Sequence, residues 1–140
     1  MSEITTAENP RRGYQVSFWA AVAITLVAWS VPYGQWVIYP FSLLATWAHE
    51  MGHGLTAILV GGTFHKLEIM PNLSGLATSA TSGRMAQAAV SSGGLVGAPI
   101  CGALIIALGP RRKLTRIILG VLAGVLALSL LLWVRNIFGA

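Results

Sequence analysis

The chain has 140 residues, of which 55% are hydrophobic and 9% charged, against about 25% charged in an ordinary soluble domain. A mean hydropathy of +0.72 in so short a chain exceeds what one core can hide from water, so a water-soluble fold is excluded and the apolar surface belongs in lipid. Nine Lys and Arg against four acids give a net charge of +5; the acids are Glu3, Glu8, Glu50 and Glu68, and there is no aspartate. Cys101 is the only cysteine, which rules out an intrachain disulfide.

In chain order, a polar tail over residues 1–13 precedes an apolar run over about 14–31. That run has the length of a bilayer-spanning helix (~17–25 residues), and no small-x-small cleavage pattern follows before Tyr33. It reads as a retained first span rather than a signal peptide. Tyr33, Trp36 and Tyr39 then lie between Pro32 and Pro40, the composition of an interfacial turn. A second helix is expected over about 41–60, ended by Gly61-Gly62.

From Thr63 to Thr81 the chain is rich in Ser, Thr and Gly and nearly uncharged, with Pro71-Asn72-Leu73-Ser74-Gly75 at its centre. Two short strands joined by that turn are predicted, a hairpin over about 63–81. A third helix follows over about 85–108, carrying Gly93, Gly97 and Pro99, and a fourth over about 114–134 with Gly120 and Gly124. Glycines four apart permit close helix contact in lipid. The fold class is therefore an all-α membrane protein, a single multi-pass transmembrane domain of about four helices with a short membrane-associated β-hairpin after the second.

Basic residues do not orient the chain. With the N-terminus inside, Arg11, Arg12, Lys66, Arg84 and Arg135 fall on the cytoplasmic side and Arg111, Arg112, Lys113 and Arg116 outside, five against four. The basic turn is too short for a nucleic-acid footprint, and no nucleic-acid partner is expected; it reads as a loop anchored on lipid headgroups.

Chemistry gathers in one helical turn. His49-Glu50-Met51-Gly52-His53 is an H-E-x-x-H pattern. On a helix the two histidines share a face one turn apart and can hold one zinc ion with both imidazoles. Glu50 stands one position round, able to exchange a proton with an attacking water as general base and acid. Three ionisable side chains in a spanning helix are costly, at ~2.5–3.5 kcal/mol for a charge at the helix centre, and a cation offsets that penalty. Thr56 and Leu59 stand where the extended zincin pattern needs a glycine and a third histidine, which excludes that class. An ion transporter would want ligands on several helices, yet the first, third and fourth contain no His, Asp or Glu.

The stretch AHEMGHGLTAILVGGTFHKLEIMPNLSGLATSA, followed by Ser91-Ser92-Gly93-Gly94-Leu95-Val96-Gly97, resembles the site-2 protease family of intramembrane zinc metallopeptidases, its small bacterial members in particular, over about Leu44 to Gly102. The resemblance implies zinc as cofactor, His49 and His53 as metal ligands, Glu50 as the catalytic glutamate, and cleavage of membrane-embedded or membrane-proximal peptide bonds. It also implies a multi-pass protein of the bacterial cell membrane with the hairpin and the N-terminus on the cytosolic side. Its substrates would be membrane proteins or peptides. Family members take a third ligand, an aspartate, from a later span, and this chain has none. The resemblance is thus to the N-terminal part of the family, with the site completed by a further C-terminal portion or a homo-oligomeric partner; His65 and Glu68 are the other candidate ligands within the chain. The alternative is a non-catalytic relative serving as a binding or regulatory module.

Overall fold

A computed structural model describes residues 10–108 and 111–136. Four helices and one hairpin succeed each other: α1 (Pro10–Ser30), α2 (Gly34–Leu59), β1 (Thr63–Ile69), β2 (Gly75–Ala80), α3 (Arg84–Leu108) and α4 (Arg112–Leu132). The polar tail over residues 1–9 lies outside the described residues. Three of the helices, α1, α3 and α4, are long and apolar enough to cross a membrane, and almost none of their residues are buried. Outward-facing Trp19, Trp29 and Leu131 show what this means: the apolar surface faces outward, as lipid requires and water forbids. In α2 the same length is diluted by His49, Glu50 and His53.

The chain divides into two compact units, Met1–Pro40 and Phe41–Ala140. In the first, α1 begins at Pro10, a residue whose fixed φ suits a first helical turn. Ser17, Thr25 and Ser30 each return their hydroxyl to the carbonyl four residues back, so that these three hydroxyls are partnered within the helix. A tight turn follows, with the Gly34 amide bonded to the Val31 carbonyl at 3.1 Å. A Cβ at Gly34 would collide with the Ala28 carbonyl, so the turn needs glycine. The expected interfacial turn up to Pro40 is shorter than its prolines imply. Helix α2 starts at Gly34 and runs through Pro40. Proline there removes one backbone donor, a loss tolerated in lipid-facing helices where neighbouring groups re-satisfy the freed carbonyl.

In the second unit α2 stops as the Gly61-Gly62 pair predicts. The Gly62 amide reaches back to Ala57 at 2.8 Å and the Gly61 amide to Ile58 at 3.1 Å, with Gly61 at φ +81, the Schellman closure of a helix. Strands β1 and β2 pair antiparallel, from Thr63 opposite Ala80 to Ile69 opposite Gly75, with an irregularity between Phe64 and Lys66. Asn72 fastens the connecting turn by accepting the Ser74 amide at 3.1 Å and its hydroxyl at 2.7 Å.

The fourth helix ends at Leu132, two residues short of expectation, because the next residues serve the hairpin. The Leu67 amide donates to the Trp133 carbonyl (2.7 Å) and the Arg135 amide to the Leu67 carbonyl (3.2 Å), a parallel bridge along the outer edge of β1. The Asn136 carboxamide continues it, accepting from the Ile69 amide and donating to the Ile69 carbonyl. Trp133 stacks on Phe64 and donates its indole N–H to the Phe64 carbonyl. One edge of the hairpin is therefore closed by residues 133–136. Trp47, Met51, Phe64, Leu67, Ile69 and Val134 form the core that this closure covers.

Within that core the Trp47 indole donates to the Ser129 hydroxyl at 2.8 Å, and Ser129 is fully buried. Ser129→Ala strands the indole N–H in an apolar setting. A loss of about 1 kcal/mol is expected, the scale of a buried polar pair in a membrane bundle. Reversible unfolding in detergent reads it.

Candidate metal and proton-transfer site

Helix α2 delivers His49, Glu50 and His53, and α3 and the hairpin fix their side chains. The His53 Nδ1 lies 2.8 Å from the Val90 carbonyl of α3. A carbonyl only accepts, so Nδ1 carries the proton and Nε2 keeps its lone pair. That Nε2 faces the Nε2 of His49 at 3.2 Å, with the two rings edge to face at 88°.

This geometry tests the fit of a metal. Ligands at the 2.0–2.1 Å of a zinc–imidazole bond stand about 3.3 Å apart along a tetrahedral edge. Two imidazole nitrogens at 3.2 Å, one of them held in the metal-ready tautomer by a backbone carbonyl, match two corners of such a site. The chemistry of the donor pair therefore fits zinc at those two corners. Among the described residues no third His, Cys, Asp or Glu joins them. His65 is exposed on β1 with its Nε2 3.0 Å from the Thr63 hydroxyl, and Glu68 pairs with Lys66 at 2.8 Å.

Close approach of α3 requires glycine on both helices. A Cβ at Gly52 would meet the Gly93 carbonyl, one at Gly93 would meet Thr56, and one at Gly94 would run into the His53 imidazole. The Gly93/Gly97 spacing thus marks a real contact with α2. The identical spacing of Gly120 and Gly124 marks none, since a Cβ there meets nothing.

Glu50 is 8% exposed and belongs to the hairpin as much as to α2: its Oε2 accepts the Ala77 amide at 2.8 Å. Gly75 lies so close to the Glu50 side chain that a Cβ has no room, and one turn earlier Thr46 donates to the Leu73 carbonyl at 2.9 Å. The direction of the Ala77 amide follows from the sheet. Its partner Leu67 spends its own amide and carbonyl on residues 133–135, so the pair is a non-hydrogen-bonded one and Ala77 points away from β1. The outer edge of β2 thereby faces the carboxylate. Of the polar residues on α3, Ser92 returns its hydroxyl to Ala88, and Gln87 and Ser91 are exposed. The Val90 carbonyl and the Ala77 amide were not legible in the sequence, because backbone groups carry no residue signature; only the glycines beside them hint at close approach.

Gly94→Ala is expected to push the His53 ring off Val90. Loss of such an orienting partner lowers metal affinity about 10- to 100-fold, while alanine favours the helix by up to ~1 kcal/mol. Zinc titration beside far-UV circular dichroism checks this: weaker binding at unchanged helicity is the expected pair of results.

No curated protein and no solved structure gives a match. The model of the Peptidase M50B-like family does match, over residues 18–140, so that it takes in the paired histidines, the carboxylate and the hairpin edge alike and reaches beyond the Leu44–Gly102 stretch on both sides. This membrane chain accordingly belongs to the Peptidase M50B-like family, a site-2 protease family of metallopeptidases.

Proposed function

We propose that the chain supplies the H-E-x-x-H portion of an intramembrane zinc metalloprotease that hydrolyses membrane-embedded or membrane-proximal peptide bonds in a bacterial cell membrane. The observation that carries this reading is the approach of the His49 and His53 Nε2 atoms to 3.2 Å with Glu50 one residue away, buried and aimed at a strand edge. His49 and His53 would hold the ion, and a third protein ligand would come from another segment or subunit. Zinc, when bound, lowers the pKa of a water and polarises the scissile carbonyl.

The chain's own residues do the rest. The Val90 carbonyl holds His53 in one tautomer and one orientation. The outer edge of β2 accepts an extended substrate segment by strand addition, because Gly75 and Ala77 lie along it and the opposite edge of the hairpin is already closed. A substrate carbonyl pairing with the Ala77 amide takes over the donor that now caps Glu50. The freed carboxylate then removes a proton from the attacking water and returns it to the leaving amine.

A second reading, a non-catalytic binding module, draws on the same capping of Glu50, which holds the carboxylate in a structural bond. Zinc content separates the two. Purified protein holding close to one zinc per site supports the protease; protein that takes up none when dialysed against zinc supports the module.

A further inference from the structure

A cavity of about 410 Å³ opens among α2, α3 and α4, on a different side of α2 from the paired histidines. Its lining includes Trp47, Met51, Leu104, Ile105, Ile117 and Val121. None of the lining residues is charged. Trp47 has its indole N–H committed to Ser129, and Cys101 contributes the one thiol. Water gains nothing in such a space, since it finds no partners there. A cavity of ~150 Å³ with a similar lining holds benzene, so this one has room for about sixteen carbons, the size of an acyl chain.

Charge says which molecule that chain belongs to. Leu104 and Ile105 lie in the last turns of α3, and Ile117 and Ile118 follow the opening turn of α4, so both sides of the cavity lead toward the turn between these helices. At that turn stand Arg111, Arg112, Lys113 and Arg116, all basic and set at the opening of α4. The only ion pair among the described residues is Lys66 with Glu68, and Glu50 is bound by Ala77, so among the described residues no acid answers these four cations. Clustered cations at a helix end beside an apolar slot are complementary to a negatively charged headgroup with its hydrocarbon tail.

We propose that this cavity and the basic turn together form a binding site for one anionic phospholipid, an acyl chain lying between the three helices and the phosphate resting on Arg111, Arg112, Lys113 and Arg116. The site is separate from the histidine pair and stands whether or not the chain is a peptidase. Four cations on one headgroup favour an anionic over a zwitterionic lipid by about fivefold for each cation engaged, less as salt rises.

Native mass spectrometry of the full chain, released from detergent and titrated with phosphatidylglycerol or with phosphatidylcholine of identical acyl chains, tests this. Phosphatidylglycerol should be retained at least about tenfold more strongly, the consequence of engaging two or more of the cations. Changing Arg111, Arg112, Lys113 and Arg116 to Gln should bring it down to the phosphatidylcholine level. Val121→Trp, which fills the cavity from an already exposed position, should lower retention of both lipids severalfold, with far-UV circular dichroism unchanged in both variants. Equal retention of the two lipids by the unaltered chain overturns the proposal, as does a groove that admits neither because protein covers it. So does phosphatidylglycerol retention that survives Val121→Trp, or that inorganic phosphate competes away, because the acyl chain then has no part in binding.

Discussion

Glu50→Gln is expected to abolish peptide hydrolysis by the completed enzyme while zinc and fold persist. The amide keeps the size of the carboxylate and retains a carbonyl oxygen able to accept the Ala77 amide, so the bond now measured at 2.8 Å survives the exchange. What it cannot do is accept a proton from water at neutral pH. General acid–base assistance is typically worth about 10²- to 10⁴-fold in rate, and a loss of that size with unaltered metal content is the expected signature. Cleavage of a membrane-embedded peptide by detergent-solubilised enzyme, with zinc measured on the same sample, is the assay. A Glu50→Gln variant that cleaves as fast as the unaltered chain would remove Glu50 from the mechanism. On the proposed mechanism the chain by itself should be a weak hydrolase even with Glu50 intact, since the described residues would offer a catalytic zinc two protein ligands instead of the usual three.

The division between what could be read from the residues and what could not follows from which groups do the work. The helices and the hairpin announce themselves because apolar runs of spanning length alternate with Gly61-Gly62 and with the Pro71–Gly75 turn. The histidine pair is legible because a spacing of four on a helix fixes a shared face. Pro40 misleads, since in water it would end a helix, whereas in α2 it is passed through. The glycine pairs show the same limit from another side: Gly93 with Gly97 and Gly120 with Gly124 are identical patterns, but a small face permits contact without supplying a neighbour. Residues 133 and 134 read as the end of an apolar helix and instead, with Arg135 and Asn136, bond along the outer edge of β1, a role set by the unpaired edge of the hairpin rather than by their own composition. The two contacts that tune the site, Val90 to His53 and Ala77 to Glu50, come from main-chain atoms that any sequence would possess.

Replacing His49 and His53 together by alanine is expected to eliminate zinc binding, and the 3.2 Å approach of their Nε2 atoms explains why neither alone would suffice. Each imidazole offers one corner of a tetrahedron, and the described residues hold no other His, Cys, Asp or Glu close enough to substitute. Without a cation between them the same two nitrogens can share only a single proton, a bond of ordinary strength in a setting that penalises polar groups. The two arrangements respond oppositely to substitution. If zinc binds there, adding it at about 100 times its dissociation constant stabilises the folded chain by about 2.7 kcal/mol, and the double variant loses that increment entirely. If the pair is only hydrogen-bonded, zinc leaves the unfolding transition where it was, and the double variant shifts it by no more than the worth of one bond. His65→Ala serves as the control, because His65 sits exposed on β1 bonded to Thr63, and its loss should leave the zinc response intact. Thermal unfolding in detergent with and without zinc, run on the unaltered chain, the double variant and the control, decides between them, and a zinc shift undiminished in the double variant would place the metal elsewhere.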